Sequence, residues 1–120
     1  MRVAPHGCRT GEVVATGGHA SRFRYILHTP GPVWQGGQAG EEESLANCYR
    51  NATLKAQELG VRSLGLPSIS TGIFRFPVER AAPVALRTVR AAATTLERVV
   101  FALYGEAEFE AFQQALSALE

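Results

Sequence analysis

Three long segments with a 3.6-residue apolar period, set between short runs of branched and aromatic residues, restrict this chain more than any other feature. The first carries Leu45, Tyr49, Ala52, Ala56 and Leu59 on one stripe, opens with Glu41, Glu42 and Glu43, and stops at Gly60. Acids in a first turn complement the positive end of the helix dipole, and glycine commonly closes a helix. The second segment covers Val78 to Ala93. The third covers Glu106 to Leu119, with Phe109, Phe112, Leu116 and Leu119 on one face. Strands are predicted at Glu12 to Ala15, at Phe23 to Thr29 before the Pro30-Gly31-Pro32 stop, at Ser63 to Pro67 as a short buried strand, and at Arg98 to Tyr104. Strands alternating with helices of ten or more residues predict an α/β sheet flanked by helices, its parallel neighbours joined by crossovers.

At 120 residues the chain has room for one core, so residues 1–120 are read as a single domain. A net charge of +1 gives no field that would gather nucleic acid or an anionic membrane, so neither is expected as a general partner. An anion would have to be bound locally. No apolar run approaches a membrane span, and Met1 to Gly11 lacks the apolar centre of a signal peptide, so a cytoplasmic location is expected. Cys8 and Cys48 are expected as reduced thiols. Together with His6, His19 and His28 they match no zinc spacing, and no metal or other cofactor is predicted.

Chemistry is concentrated between Leu66 and Pro77, where a strand passes into a helix. In open α/β sheets, ligands bind beyond the carboxyl ends of strands. Ser70, Thr71 and Gly72 are small enough for backbone N–H groups to approach an anion, and the two hydroxyls add neutral donors, a combination that suits a diphosphate. Phe74 and Phe76 offer an apolar wall for a ribose or base, and Pro77 suits a first helical turn. The same residues also suit a tight turn that serves geometry alone, and composition does not choose between the two. Gly36-Gly37-Gln38-Ala39-Gly40 is a second Gly-rich stretch, but it lacks the Lys-Ser/Thr ending of a P-loop and precedes three acids, so it is read as a flexible connection. Tyr49 and Arg50 are accounted for by helix packing and a surface ion pair.

Four blocks taken together resemble successive motifs of the macrodomain family, in order: Thr10-Gly11-Glu12-Val13; Arg24 to Thr29 with Gly31-Pro32-Val33-Trp34; Asn47 to Asn51; and Ser68 to Pro77. The resemblance implies that the loop from Ile69 through Ser70, Thr71, Gly72 and Ile73 to Phe74 wraps the diphosphate of ADP-ribose, with Phe74 near the distal ribose. Arg75 departs from the family, which usually has a small residue there, and its side chain would either obstruct the pocket or pair with a phosphate. The family's first strand, which ends in an adenine-reading acid, and its Asn- and Gly-rich ribose loop have no counterpart in this sequence. The expected fold is therefore a macrodomain-like mixed sheet flanked by helices, shortened at the N-terminus. The strands near Ile26 and Leu66 would lack their usual shared neighbour, so either the sheet closes differently or a second copy completes it as a homo-oligomer. A truncated gene product is a third reading. For function, the resemblance implies binding of ADP-ribose or a related nucleotide diphosphate first, hydrolysis of ADP-ribosyl or O-acetyl-ADP-ribose esters second, and a scaffold without ligand third.

Overall fold

The computed structural model describes residues 14–17, 25–28, 31–69, 74–103 and 105–119, and of the first two stretches the backbone alone. Among the described residues seven elements follow in the predicted order: β1 (Val14–Gly17), β2 (Tyr25–His28), α1 (Glu41–Glu58), β3 (Ser63–Pro67), α2 (Val78–Ala92), β4 (Arg98–Ala102) and α3 (Glu106–Leu119). β3 and β4 are parallel, with Ser63 opposite Arg98 and Pro67 opposite Ala102, and α2 lies between them in the chain as the crossover. β1 and β2 pair antiparallel, Val14 opposite His28 and Gly17 opposite Tyr25. Both pairings of a mixed sheet are thus present, but as two separate two-stranded sheets, and among the described residues no strand joins β2 to β3.

Of the predicted stripe of α1, Leu45, Tyr49, Ala52 and Ala56 face the core, joined by Cys48, while Leu59, just past the helix end, is half-buried. α2 meets it with Ala81, Ala82, Ala85 and Val89, whose small side chains allow the two helix backbones to pack closely. Aromatic rings carry this core across to α3, since Phe101 of β4 lies 6.1 Å from the Tyr49 ring and 5.2 Å from that of Phe112. The far ends of α1 and α2 are tied by Gln57. Its Oε1 accepts from the Thr94 and Thr95 N–H groups at 2.6 and 2.7 Å, and its Nε2 donates to Ala92 O at 2.9 Å.

Two expectations need correction. β3 is half-buried: Leu66 enters the core while Ser63, Gly65 and Pro67 are exposed, because the helices cover one face of the β3–β4 pair. In α3, Phe112 and Ala115 make the core contact, whereas Phe109 and Leu116 remain 57% and 48% exposed. Its apolar stripe is wider than the surface it rests on.

Candidate anion-binding loop

β3 ends at Pro67, and the chain then enters the segment predicted to hold an anion. Of its seven predicted residues, Ile69 is buried, Phe74 half-buried and Arg75 exposed, while Ser70, Thr71, Gly72 and Ile73 lie outside the described residues. Both stems of the loop are held from outside it. On the β3 side, the Tyr49 hydroxyl donates to Pro67 O at 3.0 Å and accepts from the Ile69 N–H at 2.8 Å. Burial pushes the Tyr49 phenol far above its ordinary range, against the Ile69 N–H, which favours the anion; Cys48 and Glu108 push it further up. The hydroxyl therefore stays protonated and keeps both bonds.

On the α2 side, the Trp34 N–H donates to Phe74 O at 2.9 Å. The Trp34 ring rests on Phe76 at 4.9 Å, and the Arg80 guanidinium lies over its other part, 4.9 Å from the centroid. Arg80 also reaches Glu42 at 3.3 Å, an exposed pair of small energetic consequence. Phe76 is 1% exposed, so it belongs to the core and is not a ligand wall; of the two phenylalanines only Phe74 keeps part of its surface exposed. Between them Arg75 adopts φ +60, a left-handed conformation uncommon for a residue with a Cβ. Pro77 caps α2 from outside it, with φ −60 and ψ 126, and its carbonyl accepts from the Arg80 and Ala81 N–H groups at 3.0 and 2.9 Å.

Trp34 is fixed in turn by the Gly-rich stretch that follows it, which corrects the reading of that stretch as a flexible connection. Glu41, the first residue of α1, folds back so that Oε2 accepts from the Gln35 and Gly37 N–H groups at 2.7 and 2.9 Å and Oε1 from that of Ala39 at 2.7 Å. Gly36 and Gly37, at φ +92 and +88, curl the backbone so that its N–H groups converge, as in the nests that bind external anions. Here the nest is filled by the chain's own carboxylate, which is 3% exposed. Burial acts to raise the Glu41 pKa, but the N–H groups of Gly37, Gln35, Glu41 itself and Ala39 outweigh it and hold the carboxyl at about 2. A Cβ on Gly37 would stand 2.8 Å from Trp34 Cη2 at a φ of +88, so Gly37→Ala is expected to lower stability by about 1–3 kcal/mol, measured by urea denaturation.

Sequence reasoning missed Tyr49, Trp34 and Glu41 as determinants of the site. Arg50 also differs from expectation: its Nη1 donates to Asn47 Oδ1 at 2.6 Å, and no ion pair joins it to an acid among the described residues. A shallow hollow of about 210 Å³ between α1 and α2, lined by Arg50, Leu54, Thr88, Ala91 and Ala92, shares no residue with the loop. Among the described residues no three His, Cys, Asp or Glu side chains converge as metal ligands, and no helix is long and apolar enough to cross a membrane.

The family model for the macro domain matches residues 1–85. The chain belongs to the macro domain family. The matched part of this macro domain contains all four resembling blocks, α1, β3 and both stems of the loop. A macro domain-containing protein of Ralstonia nicotianae is 44% identical over 114 residues, an alignment that spans 95% of this chain and 67% of that protein. One from Cupriavidus necator is 47% identical over 121 residues, 98% of this chain and 69% of that protein. Among solved structures, the Oceanobacillus iheyensis macrodomain with ADP superposes with a TM-score of 0.88 at 36% identity, covering 94% of this chain and 60% of that one. The Trypanosoma brucei macrodomain in complex with ADP-ribose superposes at 0.83 with 32% identity, over 92% of this chain and 47% of that one. This macro domain therefore spans about two thirds of the curated relatives and less of the solved chains. The α/β fold expected from the sequence is the one these neighbours share.

Proposed function

We propose that this macro domain binds ADP-ribose, or a related nucleoside diphosphate, through the loop from Ile69 to Arg75. The observation that carries the reading is the anchoring of both loop stems, by Tyr49 at Pro67 and Ile69 and by Trp34 at Phe74, beyond the carboxyl end of a parallel strand and before a helix. Ligand loops bind more tightly when their conformation is set beforehand, since less ordering accompanies binding. The Trypanosoma brucei relative holds ADP-ribose on the same fold at 32% identity, which supports that ligand class. In this reading the N–H groups and hydroxyls of Ser70, Thr71 and Gly72 receive the diphosphate, and Ile69, Ile73 and Phe74 line its apolar side. Titration calorimetry with ADP-ribose, ADP and AMP tests it. The first two are expected to bind and AMP to bind far more weakly, whereas absence of binding to ADP-ribose would overturn the reading.

Arg75 is assigned the charge at the rim of the loop. Its side chain is exposed and its φ of +60 carries a cost of about 1–2 kcal/mol that glycine would not bear. Arg75→Gly is accordingly expected to unfold at the same urea concentration as the parent or higher. Its ADP-ribose affinity is expected to fall about fivefold, with a flatter salt dependence, as one charge-assisted contact is lost. Unchanged affinity at low salt would show a purely solvated side chain, and tighter binding would show an obstruction.

A further inference from the structure

The Tyr49 ring is accounted for by core packing beside Phe101, and phenylalanine would pack there equally well. Its hydroxyl is not explained by packing, because a buried hydroxyl lowers stability unless it is hydrogen-bonded. Both of its partners belong to one short piece of chain: the carbonyl of Pro67, the last residue of β3, and the N–H of Ile69, two residues on. One oxygen atom bridging these two groups pins the chain from Pro67 to Ile69 where it leaves the sheet. Tyr49 is itself held on a rigid element, in the middle of α1, where Thr53 Oγ1 donates to its carbonyl at 2.8 Å. We infer that Tyr49 is a positioning residue for ligand binding, its hydroxyl holding the Pro67–Ile69 stem of the proposed site without touching the ligand.

This inference rests on the proposed ADP-ribose reading of the same loop. Tyr49→Phe removes one atom and leaves the core packing in place. Val89→Ala, a truncation of the buried α2 face near the end of that helix remote in sequence from the loop, supplies a destabilised variant. Both would be studied as folded proteins below their unfolding transitions, by calorimetry with ADP-ribose and by amide hydrogen exchange of residues 68–74. Tyr49→Phe is expected to bind ADP-ribose about 5- to 20-fold more weakly, within the range for losing the hydroxyl's two hydrogen bonds, and to exchange faster within residues 68–74. Val89→Ala is expected to keep the parental affinity. Parental affinity in Tyr49→Phe, or an equal loss in Val89→Ala, would overturn the inference. If the parent itself fails to bind ADP-ribose, the functional reading falls. Exchange then decides the matter for Tyr49: acceleration confined to 68–74 supports the holding role, and unchanged exchange refutes it.

Discussion

Gly72→Val is expected to leave a folded protein that binds ADP-ribose at least about 100-fold more weakly than the parent, the equivalent of two charge-assisted hydrogen bonds. Four residues, 70–73, separate stems that are fixed at Ile69 by Tyr49 and at Phe74 by Trp34. Valine would restrict the backbone at a position where glycine is the least constrained residue and where the proposed site receives the diphosphate. Among the described residues the core is built from Leu45, Tyr49, Phe76 and the α2 alanines, and thermal unfolding is expected to change far less than affinity. Calorimetry on the folded variant is the measurement, and parental affinity would remove the loop from the binding site.

The second large effect is expected from Glu41→Gln. An amide presents one acceptor and two donors where the carboxylate presents two acceptors, so it cannot satisfy the N–H groups of Gln35, Gly37 and Ala39 together. The Gly-rich stretch should lose its fixed path, and Trp34 its hold on Phe74. As Trp34 is the only tryptophan, its emission reports this directly, and a shift to longer wavelength is expected. The sign of the pH dependence follows from the lowered carboxyl. The unfolded chain protonates Glu41 near its ordinary value of 4.5 and the folded chain near 2, so the carboxylate contributes its full stabilisation above pH 4.5 and loses it as pH falls through about 2. Urea midpoints of parent and Glu41→Gln should therefore differ most near neutrality and converge toward pH 2. A difference that stays constant from pH 7 to pH 3 would contradict the assignment.

Much of this was legible in the sequence where a local signal existed. α1 announced itself by its period, its leading acids and its terminal Gly60, whose φ is +76, and β3 and α3 fall on their predicted residues. The passage from strand to helix was legible in position, since β3 ends at Pro67 and α2 opens at Val78 as the sequence predicts, while residues 70–73 lie outside the described residues. Its supports were not. Tyr49 lies on the same stripe as Leu45 and Ala52, and the partners of its hydroxyl stand 18 and 20 residues downstream, beyond any local pattern. Glu41 looked like one of three acids at a helix start, because its service as an internal anion depends on glycine conformations at Gly36 and Gly37 that composition permits but does not specify. Phe74 and Phe76 could not be ranked, because an irregular segment has no period from which to tell the buried ring from the half-buried one. The overreach at Phe109 and Leu116 has the opposite cause: a helical period marks an apolar stripe and says nothing of how wide a surface the partner elements offer it.

Amide chemical-shift mapping during titration with ADP-ribose tests the central claim most directly, because it locates the ligand without altering a residue. The claim predicts that the largest shifts fall on residues 69–75, with a smaller response at Trp34, whose N–H is bonded to Phe74. Saturable shifts confined to other residues, such as Arg50, Leu54 and Thr88 around the hollow between α1 and α2, would contradict it.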